Sequence, residues 1–276
     1  MPYKRISMRN IRISIFLITF ILICIGVVMI YSASSIYVWE KLGDSNFYLK
    51  KQILYLGIGF ILALIAMAFD YRILQKYAKI IFGISLFLLI LVLVVGKEIG
   101  GARRWFRIFG FSFQPSELAQ VGLIVYLADF ISRNKNLIHN FWRGFLPPMI
   151  ALAAMASLIL MQPDLGGTVS LIAIAFIMLF VAGVRLSNLG FCILSALPAL
   201  HFLIFNVPYR KARILAFLNP WLDPRGSGFQ IIQSQIALGS GGLFGLGIGQ
   251  SRQKLFYLPA AHTDFIFSII GEELGL

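Results

Sequence analysis

The chain has 276 residues, of which 59% are hydrophobic and only 13% are charged, and its mean hydropathy is +0.86. Soluble domains contain about 45–50% apolar and about 25% charged residues, so this composition excludes an ordinary soluble domain and indicates an integral membrane protein. The net charge of +13 does not require a nucleic-acid partner. In a chain this apolar, we interpret the basic residues as determinants of topology that also attract anionic lipid headgroups.

The apolar segments predict an all-α polytopic membrane protein with about seven complete transmembrane helices and the start of an eighth. Each run approaches the ~20 residues that a helix needs to cross a bilayer. The seven runs lie at roughly 13–31, 52–69, 78–96, 117–132, 145–161, 167–184 and 188–206. The eighth starts at Phe265, and the 12 residues from there to Leu276 are too few to span a hydrocarbon core of about 30 Å. We therefore expect a fragment that is incomplete at its C-terminus.

Basic residues near the ends of the predicted spans indicate how the chain is oriented. With the N-terminus in the cytoplasm, eleven Lys and Arg residues lie on the inner side and seven lie in the short outer loops. This excess favours a cytoplasmic N-terminus. The chain, residues 1–276, is then predicted to be a single membrane domain in which 207–263 forms one long extracytoplasmic loop. Most of the polar motifs fall on the same outer face.

Asp264 lies at the outer edge of the eighth predicted span, two residues after His262. A carboxylate at the edge of a hydrocarbon-compatible helix is costly, which makes it a candidate catalytic base whose pKa depends on burial and neighbouring charges. The alternative is a helix N-cap, because Asp often precedes an apolar helical run. Glu272 and Glu273 lie about two turns further along and cannot both face lipid. We expect at least one of them to face the protein interior in a structural ion pair.

Arg103, Arg104 and Arg107 surround an aromatic pair in the third loop. Clustered guanidinium groups suit a phosphate or pyrophosphate because they form bidentate hydrogen bonds. The alternative is an interfacial anchor that binds lipid headgroups without specificity, and the bare RRWFR sequence favours that interpretation. In the long loop, Arg210 and its basic neighbours add further positive charge to the outer face.

Two further carboxylates begin predicted helices and have structural alternatives. Glu117 follows Ser116 at the start of the fourth span, where a purely structural role fits. Asp164 lies in a PDLGG sequence that predicts a tight turn, and hydrogen bonding towards neighbouring helices explains it at least as well as catalysis. Phe229 to Leu238 has the pattern of a short amphipathic helix. The three histidines do not have the spacing of metal ligands, so no metal site is predicted.

Seven motifs occur in an order that is typical of one protein family. They are YSAS, ARRWFRI, FSFQPSELAQ, QPDLGGT, PYRKARILAFLNPWLDPRGSGFQIIQS, ALGSGGLFGLGIG and LPAAHTDFIFSIIGEELG. With these motifs the chain resembles the SEDS family (shape, elongation, division and sporulation) over essentially its whole length. The long loop, with GSGFQIIQS followed by SRQKLFYLP, is most similar to the division branch of the family, the FtsW type.

The resemblance implies a ten-span peptidoglycan glycosyltransferase that polymerises lipid II into glycan strands. It would act at the outer face of the bacterial cytoplasmic (inner) membrane, at the division septum. The implied partners are lipid II, a class B penicillin-binding transpeptidase and other division proteins. The chain departs from the family at Ala260, where glutamate is usual, and at Gln120, where lysine is usual. The second departure removes a positive charge close to Glu117, so it affects the expectation for that residue more than the one for Asp264.

The resemblance also implies that Asp264, as the aspartate of the HTDF motif, is the catalytic carboxylate. We expect inverting transfer, in which Asp264 accepts the proton of the acceptor hydroxyl while Arg103, Arg104 and Arg210 stabilise the departing pyrophosphate. The remaining candidates contact the substrate or support the site: Glu117 and His262 in the first role, and Asp164, Glu272 and Glu273 in the second. A divalent cation, Mg²⁺ or Mn²⁺, could share the leaving-group work, but the sequence has no dedicated cage for one.

Two other functions remain compatible with the sequence. A lipid II flippase would use similar arginines and intramembrane carboxylates, but it would need charge and access on both faces of the membrane. A non-catalytic scaffold for division proteins is the other alternative.

Overall fold

The computed structural model describes residues 8–99, 102–108 and 111–275. Its helices are, in chain order, α1 (Met8–Leu42), α2 (Phe47–Ala68), α3 (Tyr71–Lys76), α4 (Ala78–Val95), α5 (Pro115–Arg133), α6 (Leu146–Met161), α7 (Leu165–Val181), α8 (Leu186–Phe205), α9 (Pro208–Leu218), α10 (Phe229–Gly241) and α11 (Ile266–Leu274). Three short strands, β1 (Lys97–Ile99), β2 (Ala102–Ile108) and β3 (Phe111–Phe113), separate α4 from α5. Short helical turns lie at Lys135–Leu137, Phe141–Phe145 and Pro220–Leu222.

The chain divides into two compact units. The first unit is formed by Met1–Ala66 together with Phe202–Leu276, and the second unit is formed by Met67–His201. The prediction of a single membrane domain with one long outer loop stays a prediction.

The predicted class, a helical membrane protein with several spans, is confirmed. Each of the seven apolar runs coincides with a helix: α1, α2, α4, α5, α6, α7 and α8. By length and composition, four of the described helical segments can cross a membrane: Arg9–Lys41, Phe47–Ala68, Ala78–Val95 and Phe141–Met161. Leu165–Val181 and Leu186–Pro198 are shorter apolar helices. No residue of α2 is buried, which suits a helix that is apolar on all sides and surrounded by lipid.

The first helix is longer than the apolar run that predicted it. α1 continues past Tyr31 through the polar YSASS sequence and ends only at Leu42. Ser32 and Tyr37 therefore lie on a rigid helix, in positions that the candidate site uses.

The core of the second unit is apolar and is formed by α4, α5, α6 and α7. Its fully buried side chains are aliphatic and pack as one cluster: Leu89, Leu123, Leu127, Met155, Ile159 and Leu171. α4 and α5 approach each other closely at Gly122, where an added Cβ would collide with the Ser85 side chain. Apolar surface that is removed from water stabilises a fold by about 25 cal/mol per Å². This value applies here only to the surface that does not face lipid.

The segment between α4 and α5 forms a small antiparallel sheet that the sequence analysis did not predict. The strands follow the order β1-β2-β3, with Glu98 opposite Arg103 and Phe106 opposite Phe113. The arginine-rich ARRWFRI sequence is thus the central strand, and its successive side chains point to opposite faces. Arg103 and Arg104 therefore have different surroundings.

The core of the first unit joins α1, α10, α11 and the segment before α11. Met29 and Ala33 of α1 pack with Leu258, Ala261 and Ile269. α10 and α11 are in close contact at a glycine of each helix, because a Cβ at position 241 would collide with the backbone oxygen at position 271. This core also buries three charged side chains, those of Lys254, Glu272 and Glu273.

Candidate active site

The HTD loop, which we define as residues 258–265, turns sharply before α11. Ala260 has a φ of +55°, a conformation that side-chain-bearing residues rarely adopt. Its carbonyl oxygen accepts hydrogen bonds from the Thr263 N–H at 3.0 Å and from the Thr263 hydroxyl at 3.2 Å. This turn closes the loop and directs the chain into α11.

Asp264 lies at the end of this loop with its side chain exposed. It does not cap α11: the residue before the helix is Phe265, and no side chain of the described residues makes a cap hydrogen bond there. Within the described part of the chain, the Asp264 carboxylate forms no hydrogen bond and no ion pair. The helix-cap alternative is therefore wrong, and the carboxylate is available to a ligand.

His262 is half-buried between two tyrosine rings of the first unit. Its ring centroid lies 5.3 Å from that of Tyr37 on α1 and 4.8 Å from that of Tyr48 on α2. Burial lowers the pKa of His262 below its ordinary value of 6.5, and the negative charge of Asp264 opposes that shift. The structure thus places a mainly neutral imidazole next to the exposed carboxylate.

Two cavities adjoin the HTD loop, and both are lined by His262 and Thr263. The larger, about 370 Å³, also reaches Tyr37, Lys254 and Phe256. The smaller, about 210 Å³, is lined by residues of α1 and α2: Ile30, Tyr48, Lys51, Gln52 and Tyr55. Apolar and aromatic walls with a few polar groups are typical of small-molecule sites. Asp264 directly follows the residues that the two cavities share.

A buried ion pair adjoins the larger cavity, because Lys254 is one of the residues that line it. Lys254 Nζ is 2.8 Å from Glu273 Oε1, and the side chains are 5% and 0% exposed. The Ser32 hydroxyl of α1 donates to the Glu273 carboxylate at 2.8 Å and accepts from Lys254 Nζ at 3.1 Å. Lys254 also donates to the Gly249 carbonyl at 2.7 Å. One of the two glutamates thus forms the kind of structural ion pair that the sequence led us to expect.

Glu272 is equally buried but is held by hydrogen bonds from a turn rather than by a cation. Its carboxylate accepts from the Ser251 hydroxyl at 2.5 Å, from the Arg252 N–H at 3.0 Å and from the Gln253 N–H at 3.4 Å. Backbone N–H groups can stabilise a carboxylate away from water. Together, Glu272 and Glu273 fix the segment before the HTD loop onto α11.

The sequence analysis missed several residues of this region. Lys254 is the clearest case, because it is one of several basic residues in loop 207–263, and the sequence showed only that a glutamate needed a partner, not which residue supplies it. A lysine followed by an apolar LFYLP sequence is the signal that could have suggested it. Ser32 and Ser251 carry no comparable signal, since serines are common at helix ends and turns.

In the second unit, Asp164 has a structural role at the start of α7. Its side chain accepts from the Gly167 N–H at 2.9 Å, which caps the helix, and from the Gln114 side-chain amide at 3.2 Å. Glu117 lies in the first turn of α5, with its side chain exposed. Asp164 thus makes the hydrogen bond towards a neighbouring helix that the sequence suggested.

The two arginines of β2 differ in their contacts. Arg104 donates from Nε to the Gln162 carbonyl at 2.7 Å and from a terminal nitrogen to the Pro163 carbonyl at 2.5 Å, which ties the sheet to the α6–α7 turn. Arg103 is exposed and is 3.7 Å from Glu98. The side chain of Arg107 lies outside the described residues. Arg210 is half-buried in the first turn of α9.

No group of three or more His, Cys, Asp or Glu side chains in the described ranges could hold a metal ion. The residues that surround the HTD loop therefore do not form a metal cage, and no step of the chemistry is assigned to one. A divalent cation stays an untested expectation.

Known proteins of similar sequence have the names that the motifs suggest. The chain is 49% identical over 257 residues to a probable peptidoglycan glycosyltransferase FtsW of Geobacter sp. (strain M18), covering 92% of this chain and 70% of that protein. It is 45% identical over 261 residues to the stage V sporulation protein E of Bacillus subtilis (strain 168), covering 94% and 71%.

Solved structures show the same similarity. One, described as structural coordination of polymerization and crosslinking by a peptidoglycan synthase complex, matches 92% of this chain and 70% of its own with 34% identity and a TM-score of 0.66. An aspartate-to-alanine mutant of the rod shape determining protein RodA of Thermus thermophilus matches 95% and 66%, with 29% identity and a TM-score of 0.61. The sequence profile of the family described as "Cell cycle protein", which groups FtsW, RodA and SpoVE, matches residues 12–276. The chain therefore belongs to the FtsW/RodA/SpoVE family of cell cycle proteins.

Proposed function

We propose that this chain is a peptidoglycan glycosyltransferase that polymerises lipid II into glycan strands. The relatives that are named as such glycosyltransferases support the reaction class. The observation that carries the site is the exposed, uncapped carboxylate of Asp264, presented beside two cavities by a loop that buried charges hold in place.

In the proposed reaction, Asp264 accepts the proton of the acceptor sugar hydroxyl. The hydroxyl oxygen attacks the anomeric carbon of the lipid-linked donor, the new glycosidic bond forms, and the bond from that carbon to the pyrophosphate breaks with inversion. The proton passes to the carboxylate, and the electron pair leaves with the pyrophosphate. His262 lies close to the carboxylate as a neutral neighbour whose ring is positioned by Tyr37 and Tyr48.

The three candidate arginines differ in how well their contacts suit stabilisation of the pyrophosphate. Arg104 already donates to two backbone carbonyls, so we assign it mainly a structural role within the second unit. Arg103 has an exposed guanidinium and only a long ion pair, so it remains a candidate for leaving-group stabilisation. Arg210 remains a candidate in the first unit, and Glu117 remains a candidate substrate contact.

We also propose the setting in which this activity occurs. The protein would lie in the bacterial cytoplasmic membrane at the division septum, with its N-terminus in the cytoplasm and loop 207–263 outside. A class B penicillin-binding transpeptidase would crosslink the strands that this protein makes, and other division proteins would recruit the pair. The similarity to a peptidoglycan synthase complex supports such a partnership.

The test is polymerisation of fluorescent lipid II by the protein in liposomes, alone and with its transpeptidase partner. We expect glycan strands from the wild type and from Asp44→Asn, a control aspartate in an exposed loop that pairs with Lys50. We expect none from Asp264→Asn. If no form makes strands but labelled lipid crosses the bilayer, the proposed polymerase is wrong and a flippase replaces it.

A further inference from the structure

A third cavity of the first unit, about 410 Å³, lies between α9 and the start of α10. Tyr209 and Arg213 of α9 line one side, Arg225 and Ser227 line another, and Gln230 of α10 completes the polar surface. The proposed glycosyl transfer uses none of these side chains. Cavities of this size hold small ligands or headgroups.

The lining of this cavity is cationic. Arg225 is exposed and makes no hydrogen bond or ion pair with any described residue. Arg213 lies over the Tyr209 ring at 4.6 Å, a contact that fixes the guanidinium plane and leaves its N–H groups free to donate. No carboxylate of the described residues lines the cavity. Two guanidinium groups in one cavity without a lining carboxylate favour an anionic ligand with several acceptor oxygens.

The nearest acidic residue in sequence, Asp223, is engaged by the turn that positions Arg225. Its carboxylate accepts from the Gly226 N–H at 3.1 Å and from the Ser227 N–H at 2.8 Å. Hydrogen bonds from Ser227 hold the pKa of Asp223 below its ordinary value, so it stays ionised. Asp223 thus shapes the cavity wall and neutralises only part of its charge.

The first turn of α10 also favours an anionic ligand in this cavity. Gly228 precedes the helix, and no side chain within the described ranges caps it. Phe229 and Gln230, the first two residues of the helix, line the cavity. The positive end of the helix dipole therefore acts in the same direction as the arginines.

Next to the cavity in sequence, α9 and the turn after it expose large apolar side chains. Phe217, Leu218, Trp221 and Leu222 are between 65% and 78% exposed. Basic residues combined with exposed aromatic and aliphatic residues are typical of segments that lie in the interface of a membrane. The apolar residues offer contacts for acyl chains, and the cavity offers a place for a charged headgroup.

We infer that this cavity binds the phosphate headgroup of an anionic phospholipid whose acyl chains lie against the exposed residues of α9 and the following turn. The guanidinium groups of Arg213 and Arg225 donate to the phosphate oxygens, while the Ser227 hydroxyl donates to Asp223 at 3.2 Å and holds the turn that carries Arg225. Pro259 lines both this cavity and the larger cavity of the HTD loop. A bound lipid therefore rests against the loop that carries Asp264 and steadies it.

The test uses the protein in phosphatidylcholine nanodiscs to which phosphatidylglycerol is added in increasing mole fraction, with bound lipid counted by native mass spectrometry. Each arginine near an anionic headgroup contributes roughly a fivefold change in binding, so the double variant Arg213→Gln/Arg225→Gln should bind about 25-fold more weakly. Arg252→Gln removes the same charge from an exposed side chain of the same loop, outside the cavity, and should bind like the wild type.

Competition distinguishes the possible occupants. Phosphatidylglycerol should displace a labelled copy of itself, whereas free glycerol phosphate and free pyrophosphate should not at equal concentration, because they lack acyl chains. Equal binding by the double variant and the wild type would overturn the inference. Stronger displacement by undecaprenyl pyrophosphate, or by the transpeptidase partner, would also overturn it, because the cavity would then be a substrate subsite or a protein interface.

Discussion

Glu273 in the first unit and Asp164 in the second are both carboxylates next to apolar helices, but the protein satisfies them in opposite ways. Glu273 is fully buried and is paired with the buried ammonium of Lys254. Asp164 is half-buried, and its donors among the described residues are both neutral, a backbone N–H and a glutamine amide. Both carboxylates support the structure, but Glu273 depends on a charged partner and Asp164 depends on neutral hydrogen-bond donors.

Asp264 differs from both. It is exposed, and among the described residues its side chain has neither a cation nor a hydrogen-bond donor. A carboxylate that contributes so little to the fold can be replaced at little structural cost. The first unit thus separates the roles: the glutamates of α11 hold the loop, and the aspartate at its end is left for chemistry.

The largest effect should come from breaking the buried pair. Glu273→Gln leaves the Lys254 ammonium without its counter-charge, and Lys254→Met leaves Glu273 without its cation, so we expect each to lower the free energy of unfolding by about 3–5 kcal/mol. The double variant should recover much of this loss, because it removes both charges together. Thermal unfolding in detergent measures all three. Single variants that melt like the wild type would mean that the pair does not support the fold.

A smaller loss is expected at the neutral site. Asp164→Ala removes the cap of α7 and the acceptor for Gln114, which should cost about 1–2 kcal/mol. Asp164→Asn keeps one side-chain oxygen and should lose less. The same unfolding assay compares them. A loss for Asp164→Ala as large as that for Glu273→Gln would remove the distinction between the two sites.

Arg103 and Arg104 of β2 allow a second comparison of stability losses, within the second unit. Arg104→Gln deletes two hydrogen bonds to backbone carbonyls, and we expect a loss of about 1–3 kcal/mol. Arg103→Gln deletes only an exposed, long ion pair, with an expected effect of roughly 0–1 kcal/mol. If Arg103 stabilises the leaving group, Arg103→Gln should fold normally but polymerise lipid II more slowly than the wild type. Equal stability of the two variants would contradict the assignment of Arg104 to structure.

The smallest effect is a pH dependence from His262. Because burial lowers the pKa of the folded His262, the unfolded chain takes up this proton at a higher pH than the folded protein does. The stability contributed by neutral His262 is therefore present above its ordinary pKa of 6.5 and is lost as the pH falls from 6.5 towards the lower folded pKa. Melting temperatures of the wild type and His262→Gln between neutral and acidic pH should converge or cross on the acid side. Parallel curves would contradict the shift.

The sequence predicted the helices well because an apolar run of spanning length has few alternatives. It did not predict the sheet, because β1 and β3 are only three residues long and the basic-aromatic sequence of β2 also suits an interfacial anchor. In the structure, alternation along β2 separates Arg103 from Arg104, which the sequence analysis had treated as equivalent.

The candidate site was predictable only in part. Asp264 and His262 stand together in one recognisable motif, so local sequence identified them. Lys254 and Glu273 are 19 positions apart, with irregular chain up to Phe265 and then helix α11 between them, and the bond from Ser32 to Glu273 spans 241 residues. Contacts of that kind depend on the packing of α1 against α11 and have no local pattern. The sequence could therefore show that the glutamates needed partners, but it could not identify them.

The most direct measurement is the ratio of activity to stability for Asp264→Asn and Glu273→Gln, determined on the same preparations with labelled lipid II and the transpeptidase partner. We predict that Asp264→Asn melts within a degree or so of the wild type and loses about 10²–10⁴-fold in polymerisation rate, as expected for loss of a general base. Glu273→Gln should lose stability first, and activity only as folded protein is lost. Wild-type strand formation by folded Asp264→Asn would contradict the central claim that this exposed carboxylate performs the chemistry.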